Sequence, residues 1–123
     1  MLGRENIIKK RSLLFALDVI AFGEKFSCKH QFVIANQLIR SGTAIGALVH
    51  ESQFAESKLD FIHKLKIALK EANETLYWLS LCEQSEQLPK DSNLKLQTEE
   101  IIKILVAIVN STRKGSKELR VNN

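Results

Sequence analysis

The sequence predicts an all-α protein, an antiparallel up-down four-helix bundle in which residues 1–123 form a single domain. The first observation is the scarcity of helix breakers, since the chain holds one proline and five glycines. The second is that apolar residues recur every three or four positions in four separate segments. The third is the length, which is sufficient for one small core. Short basic segments flank the bundle at both ends of the chain.

The first helix is predicted from about Asn6 to Lys25. It carries one apolar stripe on an amphipathic surface, and a second set of apolar residues lies beside that stripe. The stripe consists of Ile7, Leu14, Leu17 and Ala21, and the neighbouring set of Leu13, Ala16 and Ile20.

The second helix is predicted over residues 31–53, with a buried face that includes Leu38, Ile45 and Val49. Gly42 and Gly46 belong to a segment in the middle of this helix that is rich in small residues. A glycine inside a helix costs about 1 kcal/mol relative to alanine. We therefore expect another helix to approach closely at this point, and the alternative is a local weak point in the helix.

The third helix is predicted from Ser57 to about Glu83, and Ser57 with Asp60 forms a short capping box at its start. The helix has the most regular heptad pattern in the chain. Its core positions are Ile62, Leu65, Leu69, Ala72, Leu76 and Leu79.

A polar connection around Pro89 precedes the fourth helix, which is predicted over residues 93–113 and buries Leu94, Ile101, Leu105 and Ile108. Gly115 is expected to end this helix. The apolar stripes of the third and fourth helices are wider than one bundle interior requires. Surplus apolar surface of this kind favours a homo-oligomer.

No secretory signal or membrane-spanning segment is predicted, so no membrane partner is expected. Cys28 and Cys82 lack the spacing of a metal or redox motif. These features favour a cytoplasmic protein.

Candidate chemistry is sparse. His30, His50 and His63 lie in different predicted elements, and the pair Asp60 and His63 lacks the other carboxylates that a metal site in a bundle needs. No phosphate-binding loop precedes a helix. We expect no enzymatic activity, no catalytic residue, no metal and no cofactor.

The positive charge is concentrated at the two ends of the chain. The net charge is +4, while residues 1–11 and residues 113–123 each contain four basic residues and one acidic residue. In an up-down bundle these two ends lie at the same pole, where basic residues of the second and third helices add to them.

The candidate nucleic-acid-binding residues are Lys9, Lys10, Arg11, Arg40, Lys64, Lys66, Lys70, Arg113, Lys114, Lys117 and Arg120. Such a cluster favours binding to RNA or DNA phosphates, and the alternative is that the basic ends merely solubilise the chain and offset helix dipoles. No aromatic residue is interleaved with these residues, so base stacking is not predicted.

Two segments resemble a known family. Residues 37–47, QLIRSGTAIGA, and residues 60–79, DFIHKLKIALKEANETLYWL, are similar to the second-helix and third-helix signatures of the four-helix bundle proteins encoded in intervening sequences of bacterial 23S rRNA genes. The resemblance implies a ring-like homopentamer. It also implies a relationship to the accessory variability proteins of diversity-generating retroelements, which are basic and associate with a reverse transcriptase and nucleic acid. It implies no role as a ribosome component, and it supplies no catalytic residues.

The chain departs from the family signature at Leu48 and His50, where the family usually has an asparagine and a small residue. A contact that depends on that asparagine would be altered. We expect the small residues of the signature to pack against leucine and tryptophan of the third helix. Two functions remain open, an oligomeric accessory protein that binds nucleic acid and a protein-binding scaffold with no nucleic-acid role.

Overall fold

The computed structural model describes residues 2–122, with side chains described for residues 3–115. These residues contain four helices: α1 Leu2–Gly23, α2 Lys29–Ser52, α3 Lys58–Gln84 and α4 Ser92–Asn122. The prediction of an all-α four-helix bundle is confirmed. The predicted boundaries of α2 and α3 are correct to within two residues, whereas α1 and α4 are longer than predicted.

Each helix packs against its neighbours in the chain, and α1 also packs against α4. Within residues 2–122, the backbones of the diagonal pairs, α1 with α3 and α2 with α4, do not come within 8 Å of each other between Cα atoms. Contacts between α1 and α2 join Gly23 to Ile39 and Gly42 to Val19, so the position rises along one helix as it falls along the other. Between α1 and α4, Arg11 pairs with Glu100 while Phe22 lies beside Leu94. α2 and α4 therefore both run opposite to α1, and α1 begins at the end of the bundle where α4 finishes.

The connections are short and have the local chemistry that their sequences dictate. The Ser57 hydroxyl accepts a hydrogen bond from the backbone amide of Asp60 at 3.0 Å, which confirms the predicted cap of α3. Asp91 accepts from the amide of Leu94 at 3.0 Å and caps α4 in the same way. Gly115 does not end α4, because the helix continues beyond it and a Cβ at that position would have no neighbour within 4 Å. The prediction for Gly115 is therefore wrong.

The core runs the length of the bundle, and the predicted buried faces of α2, α3 and α4 are confirmed by Leu38, Leu65 and Leu105, all at most 1% exposed. Leu69 and Leu76 of the predicted heptad are only half-buried.

Within residues 2–122, α2 is the one helix that is long and apolar enough, by length and composition alone, to cross a membrane. One face of α2 packs into this core between α1 and α3.

The prediction of which face of α1 packs into the core is wrong. Ile8, Phe15 and Val19 fill the core, whereas Leu14 and Leu17 are 51% and 57% exposed. Five large apolar side chains of α1 face the solvent: Ile7, Leu13, Leu14, Leu17 and Ile20. The surplus apolar surface therefore lies on α1 rather than on α3 and α4, which expose two such residues each within the described side chains.

The helical glycines contact α1, and this corrects the expected contact with α3. A Cβ on Gly42 would lie 2.9 Å from Val19, and one on Gly46 would lie 3.2 Å from the carbonyl oxygen of Ser12. The close approach that the glycines predict is thus present between α1 and α2. Ser41 of this small-residue segment reaches α3, where its hydroxyl meets that of Thr75.

Candidate nucleic-acid interface

The solvent side of α3 carries a row of basic and polar side chains. Lys66 and Lys70 are one turn apart, and both are exposed. Helical periodicity places Tyr77, two turns beyond Lys70, on the same face, where its side chain is 59% exposed. Lys103 is exposed on the neighbouring helix α4. Among the described side chains, none of these three lysines has a carboxylate within 4.0 Å.

Tyr77 is a candidate that the sequence analysis missed. It is not interleaved with basic residues in the sequence, but the spacing of seven residues from Lys70 puts both on one face of the helix. Its ring lies 5.0 Å from that of Trp78, centroid to centroid, in an edge-on arrangement. More than half of the Tyr77 side chain remains exposed, and an exposed aromatic ring is the kind of group on which unpaired bases stack.

The last described turn of α4 carries two further basic side chains. Arg113 and Lys114 are both exposed. Lys117 and Arg120, which were also predicted to take part, lie outside the described side chains. We call the surface formed by Lys66, Lys70, Lys103, Arg113 and Lys114 the basic face of α3 and α4.

Three of the predicted residues are instead engaged in ion pairs. Arg11 donates to Glu100 at 2.9 Å, and Lys64 lies 3.8 Å from Glu51. The guanidinium group of Arg40 donates to Glu71 at 3.3 Å and also to Glu74. The charge of each of these cations is balanced locally, which reduces what it can contribute to binding a polyanion.

The Arg40 contacts form part of a network that joins α2 to α3. Glu74 accepts a hydrogen bond from the indole nitrogen of Trp78 at 3.0 Å in addition to that from Arg40. Gln37 accepts from Arg40 at 3.3 Å and orients the guanidinium group. The arginine, glutamates and tryptophan of the signature segments therefore fasten two helices together.

Lys9 and Lys10 are exposed on α1, which is diagonal to α3 in the bundle. They also lie at a different height from the end of α4. At 1.5 Å per residue, Arg113 is about 20 Å farther along α4 than Glu100, the partner of Arg11. The exposed candidates that lack a carboxylate partner among the described side chains thus divide into two separate groups, Lys9 and Lys10 on α1 and Lys66, Lys70, Arg113 and Lys114 on α3 and α4.

Within the described part of the chain, Asp60 and His63 are not part of a cluster of metal-binding groups. Asp60 accepts from the backbone amide of Glu56 at 3.1 Å, and His63 is exposed. Among the described residues, no three histidine, cysteine, aspartate or glutamate side chains are grouped so that they could hold a metal ion.

Burial raises the pKa of the Cys82 thiol, and the positive charge of Lys90 opposes this effect only in part.

Comparison with known proteins identifies a family and a solved structure that resemble the chain. Residues 4–107 match the profile of the family described as 23S rRNA-intervening sequence protein. A crystal structure of a protein with unknown function from the S23 ribosomal protein family of Bacteroides thetaiotaomicron is 41% identical, with a TM-score of 0.79. The alignment covers 87% of this chain and 98% of that one. No curated protein matches the chain. Neither description names an enzymatic activity.

Proposed function

The chain belongs to the family of 23S rRNA-intervening sequence proteins, and from that premise we propose that it is a non-enzymatic, homo-oligomeric protein that binds RNA or DNA through the basic face of α3 and α4. Within this proposal it acts in the cytoplasm as an accessory factor. The observation that carries the proposal is the contrast between a basic face on α3 and α4 and an apolar face on α1.

The basic face supports phosphate binding because its lysines are both exposed and free of carboxylate partners among the described side chains. Lys66 and Lys70 project from successive turns of α3, about 6 Å apart along the helix axis. Lys103 widens the cationic surface onto α4. Such a surface attracts the phosphate backbone without regard to base sequence, and Tyr77 adds a platform on which an unpaired base can stack.

The apolar face of α1 supports assembly. It exposes five large aliphatic side chains on one helix, and Leu13 and Leu17 are more than half exposed. Phe32 adds an exposed ring at the start of α2, at the end of the bundle that Ile20 approaches. A contiguous apolar surface of this kind on a small protein is typical of an interface. Self-association through α1 leaves α3 and α4 open and repeats the basic face in every subunit.

Two finer expectations form part of the proposal. The family resemblance implies a homopentamer, and its relationship to retroelement accessory proteins implies a reverse transcriptase as protein partner. The second candidate function is a protein-binding scaffold with no nucleic-acid role. The same apolar face of α1 favours it, since that face can also receive an unrelated protein.

A salt series tests the proposal. Fluorescence anisotropy of a labelled RNA hairpin and of a DNA duplex of equal length would be measured with the purified protein over a range of salt concentrations. We expect the logarithm of the association constant to fall linearly with the logarithm of the salt concentration, with a slope of roughly −0.9 per neutralised phosphate for B-form DNA. Absence of binding to both probes at the lowest salt would overturn the nucleic-acid role and leave the scaffold.

A further inference from the structure

A groove opens on the outside of the bundle between the first half of α1 and the second half of α2. Its volume is about 630 Å³, which falls in the range of 300–1,000 Å³ that is usual for small-molecule sites. Leu13 and Ala16 of α1 line one side, and Ala47 and Val49 of α2 line the other. The lining is predominantly apolar.

The small residues of α2 explain why the groove exists. Gly46 lets the backbone of α1 approach so closely that a Cβ there would lie 3.2 Å from the Ser12 carbonyl oxygen. Thr43 and Ala47, about one turn from each other on the outer side of α2, are too short to fill the space above this contact. The groove is therefore built into the helix pairing and does not depend on the conformation of a loop.

The charges around the groove are unequal on its two sides. Lys9 and Lys10 stand at the rim on α1, and among the described side chains neither has a carboxylate within 4.0 Å. On the α2 rim, the Glu51 carboxylate lies 3.8 Å from Lys64 of α3, which balances its charge. The His50 ring packs 5.5 Å from that of Phe54. The groove thus presents an apolar trough with two unbalanced cations along one edge.

We propose that this groove binds a small amphiphilic carboxylate, a molecule with an unbranched apolar chain and a terminal carboxyl group. The chain lies against Leu13, Ala16 and Ala47, and the carboxylate meets the ammonium groups of Lys9 and Lys10. Burial of the methylene groups supplies most of the affinity, and the two cations select an anion over a neutral or cationic head group. This site is separate from the basic face of α3 and α4 and goes beyond the function proposed above. It shares Leu13 with the apolar face of α1, so it requires that self-association use the part of that face formed by Leu14 and Leu17 and leave the groove open.

Isothermal titration calorimetry tests the site with dodecanoate, and with dodecanol and dodecyltrimethylammonium as probes of the same chain length, all below their aggregation limits. We expect dodecanoate to bind with one ligand per chain and the cationic probe at least about tenfold more weakly. Ala47→Phe should abolish dodecanoate binding, because the ring fills the groove, and Thr43→Leu provides a second filling variant. Lys9→Gln with Lys10→Gln should weaken dodecanoate by roughly tenfold and leave dodecanol unchanged.

The matched control is Lys66→Gln with Lys70→Gln, which removes the same charge from α3 and should leave dodecanoate binding intact. Circular dichroism would verify that each variant folds. Equal binding of the anionic and cationic probes, or unchanged dodecanoate binding in both filling variants, would overturn the proposal. It would also be overturned if dodecanoate failed to bind while the filling variants dissociated an oligomer, since a second copy of the chain would then occupy the groove.

Discussion

The hydroxyl oxygens of Ser41 and Thr75 lie 2.9 Å apart in the core, where they form a polar contact between α2 and α3. Both residues are fully buried. Each hydroxyl also lies within hydrogen-bond distance of a carbonyl oxygen in its own helix, that of Leu38 for Ser41 and that of Glu71 for Thr75. A slip of α2 against α3 would separate the two hydroxyl groups, so the pair favours one register of the helices.

Thr75→Val should destabilise the protein by about 1–3 kcal/mol, because it leaves the buried Ser41 hydroxyl without its partner in α3. The double variant Ser41→Ala with Thr75→Val should lose less than the sum of the single changes, since it removes both polar groups together. Urea denaturation would measure these free energies of unfolding. Thr98→Val is the matched control, because the buried Thr98 hydroxyl bonds only to the Leu94 carbonyl oxygen of its own helix within the described residues. Strictly additive losses would contradict the pairing.

Gly42→Ala should destabilise the protein by roughly 1–3 kcal/mol, because the added methyl group would lie 2.9 Å from Val19. Val19→Ala in the same chain should recover part of this loss by making room. Gly115→Ala should instead stabilise by about 0.5–1 kcal/mol, since the residue lies within α4 and has no neighbour within 4 Å of the new atom. Thermal denaturation compares the variants. Equal effects of the two alanine substitutions would contradict the close approach of α1 and α2.

The two cysteines should react with a thiol reagent at very different rates in the folded protein. Cys28 is exposed, while Cys82 is fully buried and burial raises the pKa of its thiol. A raised pKa lowers the thiolate fraction at neutral pH, and burial excludes the reagent, so both effects slow the reaction of Cys82. Absorbance stopped-flow with a chromogenic disulfide should show one fast phase and one slow phase. The slow phase should merge with the fast one in denaturant, and two fast phases in the native protein would contradict the placement of Cys82.

Leu14→Gln with Leu17→Gln should dissociate the oligomer while leaving each bundle folded, because both side chains are more than half exposed on α1. Sedimentation velocity would measure the mass, and circular dichroism the helix content. Leu96→Gln is the control, since Leu96 is a similarly exposed leucine on α4. A native protein that sediments as a monomer, or an equal effect of the Leu96 variant, would contradict assembly through α1.

The fold could be predicted from the sequence wherever a helix has one apolar face. α2, α3 and α4 satisfy this condition, and Leu38, Leu65 and Leu105 lie in the core as predicted. α1 does not, because apolar residues occur around most of its circumference, and periodicity alone could not separate Phe15, which is buried, from Leu14, which is exposed. The wrong prediction at Gly115 has a different cause, since a glycine at the end of an apolar pattern resembles a helix stop even where the helix continues.

For the candidate site, the sequence predicted that basic residues take part but not which of them share a surface. The sequence identified Lys66 and Lys70 but not Lys103. It could not show that Arg40 is paired with Glu71 and Glu74, which lie on another helix and are more than thirty positions away. It also could not divide Lys9 and Lys10 from Lys66 and Lys70, because that division depends on which helices are diagonal in the bundle. Tertiary structure decides which of the basic residues share a surface.

Two charge-reversal variants with the same change in net charge test the central claim most directly. Lys66→Glu with Lys70→Glu alters the basic face of α3 and α4, and Lys9→Glu with Lys10→Glu alters α1. The association constant of each for a labelled RNA hairpin would be measured at one low salt concentration. The account predicts a loss of at least about tenfold for the α3 variant and a clearly smaller loss for the α1 variant. Equal losses in the two variants, or a larger loss in the α1 variant, would contradict it.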